Sequence, residues 1–520
     1  MKNLIFLFII FVFSFRLEAS KELLYPHEYN ERRAELIEQS NSFNFASHIN
    51  LSEKEAEVNE YLIELQKHEF NRENFLPEYN FLKVRDEIVE TPLYKFLQDM
   101  PKGAILHAHT SALGDFKWLV KTASYRLDCY VYVGEDNKEF KKGMMKIVKD
   151  PPEGDWKPVQ QLRSQSKDVE QFDQDIYESF TMNPKDLDGS DPWEKFQQCF
   201  YNFMGLFSDK ALYKTFVKNA LIYLIEEDHL QYVELRDSRN DEEYIEMYLE
   251  IIKEIQEVHP YFKVKIIGYG VRNQSPKDIL NAAKHVLQMR KKYPEIIAGF
   301  DIVAGEDSGH STLYYIDELL NIKRLAAKEN ISFSYFLHNG ETDWPFGNYI
   351  DHNEIPDESE IPYNENMYDV FLLESKRVGH GLSLIKNPFL MNKFKKADIA
   401  LEICPISNQI LFYVDDMRNH PALTYLNAGL AVTINPDDPG LFGYQGVTAD
   451  YWEACVAWQL DLRALKKLIM NSISYSSLSS KDKEVIFNEW SKQWDGFIDL
   501  YYDRASQSKK MDILETDPSN

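Results

Sequence analysis

Four cysteines in 520 residues, at positions 129, 199, 404 and 455, are few, and no two of them form a Cys-x-x-Cys pair. That sparseness excludes a disulfide scaffold and a cysteine-based zinc ribbon. Basic residues are also short, 58 Lys and Arg against 84 Asp and Glu, for a net charge of −26. A chain so acidic has no electrostatic footing on nucleic acid or an anionic membrane, and the charge points to a small substrate. Beyond the first residues no apolar run approaches the ~20 residues that span a bilayer. A glycine-rich phosphate loop after the first strand is missing too, which weakens the case for an open dinucleotide-binding sheet.

The one long apolar run lies at the N-terminus. Met1-Lys2-Asn3 precedes Leu4–Phe15, apolar but for Ser14, and Ala19 follows closely. A positive start, an apolar run of that length and a small residue at the exit predict a secretory signal over residues 1–19, cut after Ala19. Sequons at Asn50, Asn273 and Asn330 fit an exported chain. The expected location is extracellular.

Residues 20–100 read as helical. Ser52 and Glu55 make a capping box, and AEVNEYLIELQKHEF carries apolar residues at helical spacing. The segment serves as a packing arm or a dimerisation domain, and the residues favour neither. Residues 125–190 lose periodicity around Pro151-Pro152 and Gly154, which marks an inserted subdomain. Eight apolar strands are expected: Gly103–His109, Tyr232–Arg236, Val264–Tyr269, Ile297–Ala304, Ser332–His338, Arg377–His380, Ile399–Cys404 and Leu430–Ile434. Helical spacers separate most of them. The prediction is an α/β fold, a (β/α)8 TIM-type barrel over residues 101–124 and 191–505, with a polar, frayed tail at 506–520.

In such a barrel the chemistry sits at the C-terminal strand ends. The first strand ends in His107-Ala-His109, whose imidazoles share one face because side chains alternate along a strand. The fifth ends His338-Asn-Gly-Glu341, the sixth holds Gly-His380-Gly, and the eighth gives Asp437-Asp438-Pro. His107, His109, His338 and Asp437 form the proposed ligand set, and three imidazoles with one carboxylate suit Zn²⁺. Glu341 is placed to donate a proton, and His380 to take one from water or orient it. One of Asp437 and Asp438 binds metal while the other accepts from substrate. His229, His259 and His420 are expected to do packing or surface work.

These residues sit in MPKGAILHAHTSA, AGFDIVAGEDSGH, FLHNGETDW, RVGHGLSL, EICPISNQIL, RNHP and PDDPGLFG. Together the motifs resemble the extracellular adenosine deaminases, also called adenosine deaminase-related growth factors, over roughly residues 95–500. The resemblance implies zinc-bound hydroxide attacking C6 of adenosine to give inosine and ammonia, with 2′-deoxyadenosine a second substrate. It implies Glu341 protonating purine N1, His380 partnering the attacking water, Asp438 meeting N7, the Gly305 backbone meeting N3, and Trp193 contacting the nucleoside. It further implies a homodimer through the helical arm and growth-factor action by depleting adenosine. Three positions depart from the family's pattern. Thr110 stands where a ribose-binding Asp is usual, Asn339 replaces an Ala, and Cys129 lacks a partner for the insertion's disulfide. Two other readings remain in play: a signalling protein acting through its N-terminal domain, and a related metal hydrolase acting on another purine or an amide.

Overall fold

The computed structural model describes residues 25–135, 141–188, 191–345 and 365–516, with side chains described to residue 507. The expected signal at residues 1–19 lies outside these. Eight parallel strands are present: Gly103–His109, Leu230–Arg236, Lys263–Val271, Ile297–Val303, a fifth in two pieces (Ser334–Tyr335 and His338–Asn339), Arg377–His380, Ala400–Ile403 and Val432–Ile434. The first five pair in sequence order, and the fifth through eighth continue the ladder. A bridge between Ala108 and Asp437 joins the eighth strand to the first, so the sheet closes on itself. The fold is the expected α/β barrel.

Strand two, LQYVELR, is buried along its whole length, as is strand four, IAGFDIV. Parallel barrel strands have both faces covered, one by the barrel interior and one by the outer helices, so they read as near-continuous apolar runs. Charged residues nonetheless interrupt four of them: Glu234, Arg236, Asp301, Arg377 and Glu402 are all fully buried. Those side chains point into the barrel, where they pair with one another.

The N-terminal segment divides in two by its packing. Helix Glu53–Phe70 begins at the Ser52–Glu55 capping box and buries Val58, Asn59, Leu62 and Gln66. Its polar residues satisfy backbone groups of the barrel's outer layer: Leu462 N donates to Asn59 Oδ1 (2.8 Å), and Gln66 Nε2 donates to Leu460 O (2.8 Å). Glu55 receives Lys466 and the Trp494 indole N–H from the C-terminal helices. By contrast, helix Pro26–Asn41 buries nothing and leaves Tyr29, Leu36 and Ile37 exposed.

The insertion has regular structure of its own. Cys129–Tyr132 lies between Met145–Ile147 and Trp156–Pro158 in an antiparallel sheet. Helices Val159–Gln165 and Val169–Phe180 follow it. Buried Asp173 fastens them, accepting from Lys121 (2.6 Å), Tyr125 (2.6 Å) and Arg163 (2.9 Å). All four cysteines are buried and unpaired, Cys129 included. At the other end the last helix runs Ser480–Thr516, through the stretch expected to fray. No helix among the described residues is long and apolar enough to cross a membrane.

Candidate metal centre and active site

The C-terminal strand ends converge on one cavity. His107 Nε2 lies 3.2 Å from Asp437 Oδ1, His109 Nε2 lies 3.3 Å from the same oxygen, and His109 and His338 face each other Nε2 to Nε2 at 3.3 Å. Tetrahedral ligands with metal bonds near 2.0–2.1 Å sit about 3.3 Å apart. His107 Nε2 and Asp437 Oδ1 are buried with no hydrogen-bond partner. Orphaned acceptors at such spacing fit a divalent ion and repel one another without it. His380 packs into the same cluster, with its Nε2 3.9 Å from Asp437 Oδ2.

Strained backbone sets these positions. His380 and Asp437 both adopt left-handed φ, 62° and 60°, as does Ala304 at 81°. Non-glycine residues rarely hold that region unless their surroundings over-determine it. Gly379 makes room at the sixth strand, since a β-carbon there would stand 3.1 Å from His107 Cε1.

Beneath the cavity lies a lattice of buried ion pairs. The Glu402 carboxylate accepts from His107 Nδ1 (3.0 Å) and from Arg236 (2.7 Å). Asp301 accepts from His338 Nδ1 (2.6 Å) and from the same Arg236 (2.6 Å). Arg377 joins Glu402 to Glu234. With Nδ1–H committed to a carboxylate, each of His107 and His338 turns a lone pair on Nε2 toward the cavity. Burial, outweighing Asp301, brings the His338 pKa down to about 3, so its ring is neutral at physiological pH. Arg236→Met would leave buried Asp301 with no guanidinium and Glu402 with Arg377 alone, and is expected to cost about 3–5 kcal/mol, read by urea unfolding. Unchanged stability would mean the lattice is not the buried charge network described here.

The catalytic candidates line the mouth. Burial, then Asp437 and Glu306, pushes the Glu341 carboxyl well above the usual range, and its Oε1 is unpartnered. Glu306 also fixes its backbone, accepting from Glu341 N at 2.7 Å. Burial beside Asp437 pushes Asp438 up in the same way. Burial opposes ionisation of Asp437 too, but His107 and His109 overcome it and hold that carboxyl well below the usual range. The site thus favours the protonated form of Glu341 and Asp438 and the ionised form of Asp437.

Above them opens a cleft of about 250 Å³. Asp438, Glu341, Tyr269 and Ser111 floor it, and helix Pro192–Phe203 walls it with Trp193, Phe196 and Phe200. The Trp193 indole N–H donates to Tyr413 Oη at 2.8 Å, which fixes the ring. Gly305 is buried beside it: a β-carbon there would stand 3.5 Å from Trp193. No Lys or Arg lines the cleft among the described residues.

Thr110 is absent from the lining. Its hydroxyl turns down and donates to Arg236 O at 3.2 Å. Asn339 is also fully used, its Oδ1 accepting from Arg272 (2.7 Å) and Thr312 (3.1 Å) while its amide donates to Asn366 O. Both departures sit in scaffolding positions. His420, expected at packing or surface work, is 98% enclosed and hydrogen-bonded in series with Asn408 and His380.

Known proteins resemble this chain along most of its length. The family model described as adenosine deaminase matches residues 368–493, and the adenosine/AMP deaminase N-terminal model matches 6–97. "Adenosine deaminase 2" of Dictyostelium discoideum is 33% identical over 495 residues, covering 91% of this chain and 88% of its own. The Homo sapiens protein of that name is 31% identical, covering 90% and 93%. Among solved structures, the N6-methyl-AMP deaminase of Arabidopsis thaliana has a TM-score of 0.53 at 15% identity, covering 77% of this chain and 98% of its own. An amidohydrolase from Burkhoderia ambifaria with bound Zn has 0.52 at 15%, covering 79% and 94%. The structural likeness reflects the shared barrel, and the sequence likeness runs nearly end to end. The chain belongs to the adenosine deaminase family and is a hydrolytic deaminase.

Proposed function

We propose that the protein is a secreted, zinc-dependent adenosine deaminase, converting adenosine and 2′-deoxyadenosine to the inosine nucleosides and ammonia. The observation that carries this is the meeting of His107, His109, His338 and Asp437 at metal-ligand spacing, directly beside a protonated Glu341. The near-full-length likeness to proteins named adenosine deaminase 2 supports the substrate. A relative with bound Zn and an all-nitrogen-and-oxygen donor set support the metal.

Bound zinc would supply the Lewis acidity that makes water nucleophilic at neutral pH. The chain's own groups do the rest. The aromatic wall from Trp193 to Phe200 holds the purine and sheds water from the cleft. Protonated Glu341 donates to N1 as C6 is attacked, which relieves the charge gathering on the ring. Protonated Asp438 donates to N7, and the Gly305 backbone N–H to N3. These three contacts orient C6 toward the metal side, where His380 faces the attacking water.

A cleft lined by no cation among the described residues gives a 5′-phosphate no partner there, and the net charge of −26 repels it. AMP is therefore expected to turn over at least about 10²-fold less efficiently than adenosine. Loss of adenosine ultraviolet absorbance with stoichiometric ammonia, on the zinc-loaded protein, tests the function. A folded, loaded protein that leaves adenosine intact overturns it, and equal use of AMP overturns the nucleoside preference.

Export is supported by the apolar run at residues 4–15 and by the exposure of all three sequon asparagines. The exposed helix Pro26–Asn41 supports a homodimer through residues 20–100, with residues 125–190 as an inserted unit. Growth-factor action would follow from removal of extracellular adenosine. Sedimentation giving a monomer mass would dispose of the dimer.

A further inference from the structure

His380 is wired differently from the other cavity histidines. His107 and His338 each give Nδ1–H to a carboxylate, whereas His380 Nδ1 meets the side-chain amide of Asn408 at 3.2 Å. Asn408 in turn meets His420 Nε2 through Oδ1 at 3.2 Å, and Ala422 N lies 3.1 Å from His420 Nδ1. All three side chains are buried.

The backbone amide decides the direction of the whole series. Ala422 N–H can only donate, so His420 Nδ1 holds a lone pair. Burial brings the His420 pKa down to about 3, so the ring is neutral and its one proton is on Nε2. That Nε2–H donates to Asn408 Oδ1, which leaves the Asn408 amide to donate to His380 Nδ1. A flipped Asn408 would set its NH₂ against the His420 N–H and is excluded.

We propose that His420, acting through Asn408, is a positioning residue that keeps the proton of His380 on Nε2, facing the cavity. The inference rests on the deaminase reading for its kinetic consequence. An imidazole presenting N–H toward the ion site cannot ligate it, so His380 is separated from His107, His109 and His338 although it packs among them. It enters the reaction as a hydrogen-bond donor holding the attacking oxygen in place. The sixth-strand histidine orients water and does not deprotonate it.

Two-bond ¹H–¹⁵N spectra of ¹⁵N-histidine protein, metal-free and zinc-loaded, test this, with His380 assigned through His380→Asn. The expected wild-type pattern is protonated Nε2 and bare Nδ1. Asn408→Asp offers a carboxylate to Nδ1 and should invert that pattern. It should also lower kcat on the order of 10²-fold, with KM changed less than about threefold and zinc content kept. His420→Gln retains an N–H donor and should stay within about tenfold of wild type, while His420→Phe should approach the Asn408→Asp rate. Thermal melts confirm that each variant folds. A protonated Nδ1 in the wild type, or wild-type kcat in folded Asn408→Asp, overturns the proposal. The spectra need no substrate, so failure of the deaminase assignment would leave the tautomer result legible.

Discussion

Glu341→Gln is expected to lower kcat/KM for adenosine by about 10³-fold while metal content and melting temperature hold. The amide keeps the volume of the side chain and a donor N–H, but it has no proton to transfer. Because Glu341 is buried and its carboxyl already sits well above the usual range, replacing it removes no ionised group. The effect should therefore fall on kcat, with KM nearly unchanged. The wild-type pH profile should carry the same signature. Activity requires the protonated carboxyl, so it should persist through neutral pH and decline on the alkaline side as Glu341 ionises; the Gln variant should lack that limb. A variant retaining a tenth of wild-type activity would remove Glu341 from the proton path.

Removal of the ion should abolish turnover, beyond 10³-fold, and Zn²⁺ should restore it. The cavity makes a particular version of this prediction. His107 and His338 are held from below by Glu402 and Asp301, and those by Arg236, so that part of the ligand set is organised independently of the ion. Chelated protein should stay folded with a melting temperature lower by several degrees, since an ion that binds only the native state stabilises by mass action. Recovery should then be fast and complete. Asp437→Ala should lose both activity and zinc, because it removes the one ionised ligand and leaves His107 and His109 with no anion between them. Full activity after exhaustive chelation would rule out metal-assisted hydrolysis.

The barrel was legible because its strands are apolar runs separated by amphipathic helices, and because strand ends carry the chemistry. The expected edges fall within about two residues of the observed ones for Gly103–His109, Leu230–Arg236 and Arg377–His380. The fifth strand is interrupted at Phe336-Leu337, a break its apolar sequence does not announce. Of the candidate site, His107, His109, His338, Glu341, His380, Asp437 and Asp438 could be found from sequence since each stands at a strand end. The groups that orient them could not be found that way. Glu402 and Asp301 lie inside strands and Arg236 closes one, where their one visible sign is charge amid apolar neighbours, and that signal names no partner. His420 and Asn408 meet only through the fold, Asn408 on the short helix Pro405–Ile410 and His420 just past the turn Met417–Asn419. Thr110, noted as a departure from a ribose-binding Asp, turns its hydroxyl to Arg236 O beneath the floor, a direction its place after His109 does not announce.

The ion-pair lattice has one more consequence, for charge balance in the barrel's interior. Three carboxylates, Glu234, Glu402 and Asp301, alternate with two guanidiniums, Arg377 and Arg236, leaving one excess negative charge. Asp437, held ionised by His107 and His109, adds a second. The lattice and Asp437 together place an excess of two negative charges beneath and beside the ion site, and in a medium of low dielectric that excess attracts a dication more strongly than a monovalent ion. Part of the attraction for a dication is in this sense written into Glu234, Glu402 and Asp301, residues that never touch it.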